Sequence, residues 1–470
     1  MSLRRIIALS LIFGLAACAN AQPNVLFIIV DDLRPELPAY GHDQVQAPHI
    51  DALAAEGVVF VNAYANVPVC GASRASMISG LRPTATRFVG FDARVDEDAP
   101  DVVSLHALLK ANGYQTESLG KVLHHQDDSP GGWSQPPWSA QDDVPRHLAT
   151  GFRNYQDPAN IAAFKENGTG PATESMDVDD EAYFDGQTAA RAVAALDRLA
   201  QGEKPFFLAV GFVKPHLPFT APRKYWDLYT REHMPPARVG AMPEGLPKQA
   251  RHNFGELRRY SDVPDDPAVP IDVHLARKLK HGYYASVSYA DAQVGKVLSK
   301  LEELELGPST IVVLVGDHGW SLGEHGLWAK HSPFDVATRV PMIVRAPGIG
   351  EPGTARALVE LVDIYPTLVA LLELPAPVHL QGDSFVSVLE DTAVAGKPAV
   401  FPRWKNADVV KSDQYALTVW SNEEGRPVAE MMFNHATDRD EIINIAPDEN
   451  YSVQKDNLEL LLKDLKEGQK

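Results

Sequence analysis

Cysteine is scarce in this sequence, with only Cys18 and Cys70 among 470 residues. At most one disulfide can form, so the chain is not a disulfide-stapled scaffold, and packing together with any bound metal must stabilise it. Basic residues are also in deficit, with 43 Lys and Arg against 62 Asp and Glu and a formal net charge of −19. This balance argues against nucleic acid as a partner, and an anionic substrate would require a local basic pocket.

Long hydrophobic runs are missing from the chain after its N-terminal segment. No stretch after that segment is long and apolar enough to span a bilayer. At the N-terminus, Arg4 and Arg5 precede a short apolar stretch at 6–17, which is typical of a secretory signal. Residues 15–18, Leu-Ala-Ala-Cys, resemble a bacterial lipobox, and the small-x-small pattern Ala-Asn-Ala at 19–21 offers an ordinary cleavage site as the alternative. We therefore predict a signal peptide and lipobox region at 1–21, export to the periplasm or cell envelope, and membrane attachment by a lipid at Cys18.

Apolar runs alternate with helical patterns between residues 22 and 381. The runs predict strands at 24–30, 58–62, 114–119, 205–212, 310–315 and 340–345. The helical patterns lie at 48–56, 104–110, 185–200, 283–304 and 364–372. This alternation predicts an α/β catalytic domain in which helices sandwich a mostly parallel sheet. Two irregular segments, 126–180 and 230–270, predict a substrate-binding loop and a surface insertion.

The alternation of apolar runs with helical patterns ends at about residue 381. Short strands are predicted at 399–404, 415–420 and 428–433, followed by a helix at 457–465. A chain of this length exceeds the usual size of one core, so we predict a smaller C-terminal α+β subdomain at 382–470.

Polar side chains follow four of the predicted strands. They are Asp31 and Asp32, Lys121 and His124, His216, and Asp317 and His318. Because ligands of parallel sheets bind beyond the carboxyl ends of the strands, we expect these side chains to converge. Two adjacent carboxylates repel each other unless a cation lies between them, although an isolated Asp-Asp pair can also serve as turn or cap residues.

The stretch from Val69 to Pro83 carries the other cysteine, Cys70, with Arg74 four residues later. Ser73 or a neighbour is a candidate cap for a short helix that ends near Gly80, which would place Cys70 at the positive end of the helix. Such a position attracts anions. A free cysteine can also be simply a small buried hydrophobic residue.

Taken together, these motifs resemble the type I sulfatases, most nearly the iduronate-2-sulfatase branch, over nearly the whole mature chain. The matching stretches are Asp31-Asp32, Cys70 to Arg74 with Ala72 at the third position, Lys121-x-x-His124, Lys214-Pro-His216, Asp317-His-Gly-Trp320, Gly323-Glu-His-Gly326, Trp328-Ala-Lys330 and Leu361 to Thr367.

The resemblance implies an alkaline-phosphatase-like fold and a formylglycine derived from Cys70. A formylglycine-generating or anaerobic sulfatase-maturating enzyme would make this conversion before folding. The resemblance also implies a Ca²⁺ ion, with Mg²⁺ as the alternative. The implied metal ligands are Asp31, Asp32, Asp317, His318 and the modified Cys70.

The implied catalytic roles extend to Arg74, Lys121, His124, His216 and Lys330. Hydrated formylglycine offers one hydroxyl to attack sulfur and a second to expel sulfate, with Asp317 as the base for the first step. Arg74 and Lys121 would stabilise the nucleophile, while Lys330 and His216 would hold the sulfate and protonate the departing oxygen. His124 would be the base that regenerates the aldehyde.

The implied substrate is a sulfated carbohydrate, specifically a 2-O-sulfated uronic acid from a polysaccharide such as ulvan or a glycosaminoglycan. One alternative is a phosphatase or phosphonate-ester hydrolase of the same superfold. Another is a non-catalytic polysaccharide-binding lipoprotein.

Overall fold

The computed structural model describes residues 22–143, 150–243, 245–252 and 254–468, so the predicted signal and lipobox region, with Cys18, lies outside the described residues. The strands are β1 (Asn24–Val30), β2 (Val58–Tyr64), β3 (Gln115–Gly120), β4 (Thr173–Met176), β5 (Phe206–Phe212), β6 (Phe219–Pro222), β7 (Thr310–Gly316), β8 (Arg339–Arg345), β9 (Gly353–Ala355), β10 (Val359–Glu360), β11 (Arg403–Trp404), β12 (Ala407–Lys411), β13 (Tyr415–Ser421) and β14 (Pro427–Asn434). The α-helices are α1 (Pro48–Glu56), α2 (Cys70–Ser79), α3 (Val95–Asp98), α4 (Leu105–Ala111), α5 (Pro158–Asn167), α6 (Phe184–Leu199), α7 (Arg223–Trp226), α8 (Val273–Glu303), α9 (Asp335–Thr338), α10 (Ile364–Leu371), α11 (Val386–Glu390) and α12 (Ser452–Gly468).

An eight-stranded sheet forms the centre of the larger domain, in the order β10-β2-β8-β7-β1-β5-β3, with β9 also paired to β2. The central strand β1 runs parallel to both β5 and β7, whereas β8 is antiparallel to its two neighbours. Alternate residues of β1 enter two separate hydrophobic clusters, one shared with α6 and α8 and the other with α2, α4 and α10. Helices therefore cover both faces of the sheet, as the continuous apolar runs predicted.

A second, four-stranded antiparallel sheet, β11-β12-β13-β14, forms the C-terminal subdomain. Helix α12 packs on it through Leu458 and Leu462, which share a cluster with Val410, Leu417 and Met432. This arrangement confirms the predicted α+β character. Helix α11, in contrast, contributes to the core of the larger domain, and the boundary at residue 382 stays a prediction.

Three differences from the predicted elements have local causes. Helix α8 begins ten residues before the predicted 283, because the Asp272 carboxylate accepts from the amides of His274 and Leu275 at 2.8 and 2.9 Å. Segment 126–180 contains helix α5, which begins with an Asp157 cap and Pro158 and ends at Gly168 with φ 71°. Strand β12 precedes the predicted strand at 415–420 and pairs with it.

No helix in the described part of the chain is both long and apolar enough to cross a membrane.

The buried side chain of His106, on α4, makes the stability of the fold depend on pH. Its side chain is fully buried, stacks on the Trp133 ring at 4.2 Å and places Nε2 2.9 Å from the Ser129 carbonyl. Burial lowers the pKa of His106 to about 4, and Lys110 adds to the effect. The folded state therefore keeps this ring neutral, while the unfolded chain takes up the proton below its ordinary pKa of about 6.5.

We expect His106 to lower the free energy of unfolding of the wild type as the pH falls from about 6.5 to about 4. The decrease should be about 1.4 kcal/mol for each pH unit. His106→Gln should remove one proton from that dependence, because glutamine keeps a donor for the Ser129 carbonyl but does not titrate. Urea unfolding of both proteins at several pH values measures the difference. Parallel stability curves would contradict the expectation.

Candidate active site

The carboxyl ends of neighbouring strands bring the candidate residues to one edge of the sheet. Asp31 follows β1, and its amide donates to the Phe212 carbonyl at the end of β5 at 3.1 Å. Asp317 follows β7, and its Oδ1 accepts from the Asp32 amide at 3.1 Å. Because β1 lies between β5 and β7, these end residues meet without any long loop.

Helix α2 brings Cys70 to the same edge. The helix begins at Cys70, with Val69 as its cap residue, and all ten of its residues are buried. The suggested capping role of Ser73 is wrong, because the helix starts three residues earlier and the Ser73 hydroxyl instead donates to the Asp317 carbonyl at 2.5 Å. A Cβ on Gly71 would lie 2.1 Å from the Phe91 carbonyl oxygen, so only glycine permits this close approach of the next loop.

Arg74 connects the two sides of the site. Its Nε donates to Asp317 Oδ2 at 2.8 Å and its Nη2 to Asp31 Oδ1 at 3.3 Å. Its Nη1 donates to the backbone carbonyls of Lys121 and Val122. The side chain is fully buried, and burial alone would lower its pKa, but Asp317 and Asp31 raise the pKa above its ordinary value. The guanidinium therefore stays charged and fixes both carboxylates.

Two lysines complete the charge network. Lys121 Nζ contacts Asp31 Oδ2, and Lys330 Nζ lies 3.0 Å from Asp32 Oδ1. Burial would raise the pKa of Asp31, but Lys121 and Arg74 outweigh it and hold the pKa well below its ordinary value. The pKa of Asp317 is instead raised, mainly by burial and against the opposing effect of Arg74. The two carboxyl groups thus differ in their affinity for a proton.

Four of the five predicted metal ligands, Asp31, Asp32, Cys70 and His318, have ligand atoms within 4.8 Å of one another. His318 Nδ1 donates to the Gly319 carbonyl at 3.0 Å, which leaves the Nε2 lone pair facing Cys70 Sγ at 3.2 Å. Two buried carboxylates and a suitably oriented imidazole fit a divalent cation.

The fifth predicted ligand, Asp317, lies outside this group of four. Its Oδ1 accepts from two backbone amides, and its Oδ2 accepts from Arg74. Its place among the metal ligands stays a prediction.

The thiol of Cys70 is only 2% exposed. Burial and the nearby charge of Asp31 raise its pKa well above the ordinary value. An unmodified Cys70 is therefore a neutral thiol, whereas reactive cysteines have a lowered pKa.

His216 is linked to the charged cluster by Glu256, a residue that the sequence patterns did not single out. Its Nε2 lies 3.1 Å from Glu256 Oε1, which also accepts from Lys330 Nζ at 3.3 Å. Its Nδ1 donates to the Leu217 carbonyl at 2.6 Å. Both ring nitrogens face oxygen acceptors, so an N–H on either nitrogen has a hydrogen-bond partner. Glu256 belongs to the irregular segment 230–270, where no periodicity indicates which side chains point inward.

Lys214, in the same motif as His216, is buried. Its Nζ donates to the carbonyls of His216 and Pro218 at 2.9 and 2.6 Å. Burial lowers the pKa of Lys214 to about 8. Its amide and that of Val213 donate to the Asp185 carboxylate, so Lys214 and Asp185 together fix the turn that carries His216.

His124 stands apart from the hydrogen-bonded network. Its ring packs edge-on against those of Phe91 and His125, at 6.2 and 4.9 Å between centroids. Burial, with a further contribution from Lys121, lowers the pKa of His124 to about 2. The imidazole is therefore neutral, and its low pKa makes it a weak base in this environment.

Comparison with known proteins places this geometry in context. Residues 23–374 match the family model for sulfatase, and residues 323–468 match the model for the C-terminal region of N-sulphoglucosamine sulphohydrolase. Iduronate 2-sulfatase of Homo sapiens is 38% identical over 398 aligned residues, with 77% of this chain and 71% of that protein covered. A sulfatase of Formosa agariphila is 30% identical over 463 residues, with 94% and 86% covered.

Solved structures share the architecture. A 2-O GAG sulfatase has a TM-score of 0.69 at 25% identity, with 94% of this chain and 91% of that chain covered. The phosphonate monoester hydrolase of Agrobacterium radiobacter has a TM-score of 0.77 at 20% identity, with 95% and 96% covered, and shows likeness of fold alone.

Glu256→Gln should tighten the binding of inorganic sulfate about tenfold, because it removes a negative charge next to Lys330 and His216. Titration calorimetry with sodium sulfate measures the affinity. Glu203→Gln, which changes the net charge equally at an exposed position, should leave it unchanged. Equal affinities of the wild type and Glu256→Gln would contradict the expectation.

Proposed function

The chain belongs to the sulfatase family, as a sulfuric ester hydrolase near the iduronate-2-sulfatase branch, and we propose that it removes 2-O-sulfate from a uronic acid. The uronic acid would belong to a polysaccharide such as ulvan or a glycosaminoglycan. The observation that carries the proposal is a cluster of basic groups around Cys70, the buried Arg74 and Lys330 and the partly buried Lys121, in an otherwise acidic protein. The similarity to iduronate 2-sulfatase and to a 2-O GAG sulfatase supports the sugar and the position.

We further propose that Cys70 is converted to formylglycine by a formylglycine-generating or anaerobic sulfatase-maturating enzyme. Hydrated formylglycine would supply a hydroxyl nucleophile, and a Ca²⁺ ion, or Mg²⁺ in its place, would act there as a Lewis acid toward the sulfate and that hydroxyl. Asp31, Asp32 and His318, with Asp317 and the modified Cys70, are the proposed ligands of the cation.

Proton transfer is assigned to three side chains. Asp317 accepts the proton of the nucleophile, in keeping with its raised pKa. His216, whose two nitrogens both face acceptors, donates a proton to the departing sugar oxygen. His124 is assigned the proton that leaves when sulfate is released, from its place in the Lys121-x-x-His124 motif.

The basic side chains are assigned to stabilise the negative charge of the nucleophile and of the sulfate. Arg74 and Lys121 contact Asp31, whereas Lys330 contacts Asp32 and shares the Glu256 carboxylate with His216. Lys330 and His216 would hold the sulfate oxygens through charge-assisted hydrogen bonds.

The alternative of a phosphonate-ester hydrolase has the support of fold likeness alone, whereas the sequence relatives cited above are sulfatases. The alternative of a non-catalytic binding protein does not account for the compensated charge network around Cys70. Export to the periplasm or cell envelope, with a lipid at Cys18, remains part of our proposal.

The function is tested by sulfate release from a panel of defined sugars. We expect the highest kcat/KM for a 2-O-sulfated uronic acid disaccharide, compared with 6-O- and N-sulfated glucosamine and with a phosphonate monoester. Cys70→Ala should be inactive on every substrate. Faster hydrolysis of the phosphonate ester than of any sulfate ester would overturn the proposal.

Mass spectrometry of the peptide that contains residue 70 provides the accompanying control. The active wild type should carry the aldehyde there. Full activity with only the unmodified thiol would contradict the formylglycine assignment and leave the substrate assignment intact.

Removal of the cation should abolish turnover and lower the melting temperature. A ligand at a hundred times its Kd stabilises the folded state by about 2.7 kcal/mol. Thermal unfolding after chelation, with Ca²⁺ or Mg²⁺ added back, measures the effect. Asp32→Asn should lose the response to Ca²⁺, and the exposed control Asp265→Asn should keep it. Unchanged activity and melting temperature in chelated, metal-free protein would contradict the prediction.

A further inference from the structure

Two exposed aromatic rings mark the candidate active site. Phe91 and Phe152 are 64% and 40% exposed, and every other Phe, Tyr and Trp side chain in the described ranges is buried or partly buried. The Phe91 ring lies edge-on to His124 at 6.2 Å and 61°. The Phe152 ring lies edge-on to His216 at 5.5 Å and 85°. Both exposed rings thus contact a histidine assigned to catalysis.

The main chain holds the Phe91 ring in place. The Phe91 carbonyl packs so closely on Gly71 that a Cβ there would lie 2.1 Å from it. Gly71 is the second residue of α2, directly after Cys70. The loop that carries Phe91 is therefore fixed against the start of the Cys70 helix.

The Phe152 loop is also anchored. The next residue but one, Asn154, has a left-handed backbone with φ 50°, and its Oδ1 accepts from the Phe184 amide at 2.7 Å. The guanidinium of Arg153 lies 4.8 Å from the centroid of Phe152 and 4.7 Å from that of Phe164. Arg153 has no acidic partner among the residues that the structure describes, and its charge remains available to a ligand.

Exposure of these two rings costs free energy. Each Å² of apolar surface that stays in water lacks the stabilisation of about 25 cal/mol that burial would give. Isolated exposed aliphatic side chains are common and require no explanation. Two anchored rings beside two catalytic histidines, in a chain that shelters its other described aromatic rings, are instead typical of a ligand-binding surface.

We propose that Phe91 and Phe152 are sugar-stacking rings of this site, and that Arg153 binds an acidic group on the sugar that contacts Phe152. The proposal rests on the proposed function. A pyranose presents C–H groups to the negative face of an aromatic ring, and a guanidinium forms paired hydrogen bonds with a carboxylate or sulfate. The rings select a sugar, and Arg153 selects an anionic one.

The test compares Phe91→Ala and Phe152→Ala with Phe91→Tyr and Phe152→Tyr, on the sugar sulfate that the wild type hydrolyses best. Each alanine variant should raise KM about tenfold with little change in kcat, and the tyrosine variants should restore KM. Arg153→Gln should raise KM for the uronic acid more than for a neutral sugar with the same sulfate. Val378→Ala, which removes another exposed apolar side chain, is the control and should change nothing.

Inhibition by inorganic sulfate separates stacking from general damage, because sulfate has no sugar ring. The inhibition constant should be the same in the wild type and the phenylalanine variants, as should the melting temperature. Unchanged KM in both alanine variants of an active enzyme would overturn the stacking proposal alone. A wild type that hydrolyses no sugar sulfate would overturn this inference and the proposed function together.

Discussion

The pairing of buried Arg74 with Asp31 and Asp317 is the constraint on which the rest of the site depends. The guanidinium joins the ends of β1 and β7 and also donates to two backbone carbonyls that follow β3. Without it, two carboxylates would face each other in a region shielded from water, where the removal of one partner typically costs about 3–5 kcal/mol. The positions of Asp32 and His318, which are chain neighbours of those carboxylates, follow from the same contact.

The charges of the site explain how an acidic protein can receive an anion. Three basic groups, Arg74, Lys121 and Lys330, face four carboxyl groups, Asp31, Asp32, Asp317 and Glu256. The basic pocket expected from the net charge is therefore largely neutralised by its own carboxylates. A divalent cation held by the carboxylates would leave the lysines free to attract an oxyanion.

The sequence was sufficient for the parts that repeat a simple pattern. Apolar runs such as 24–30 predicted the strands, and the polar residues directly after them met at one edge because parallel strands end together. Glu256 was missed because its direction depends on long-range folding of an irregular segment, which no local periodicity records. Ser73 was misassigned for a related reason. A serine near a helix start resembles a cap, and only the tertiary contact with Asp317 shows its actual partner.

The burial of Cys70 sets an order of events for the proposed conversion. The residue is 2% exposed, its whole helix is covered, and the Phe91 main chain closes over Gly71. A modifying enzyme can reach such a side chain only while the polypeptide is still unfolded. Conversion and folding would therefore compete in time, and a molecule that folded first would keep an unmodified thiol although its fold is correct. The specific activity of a preparation would then report how fast the chain was synthesised relative to the supply of modifying enzyme.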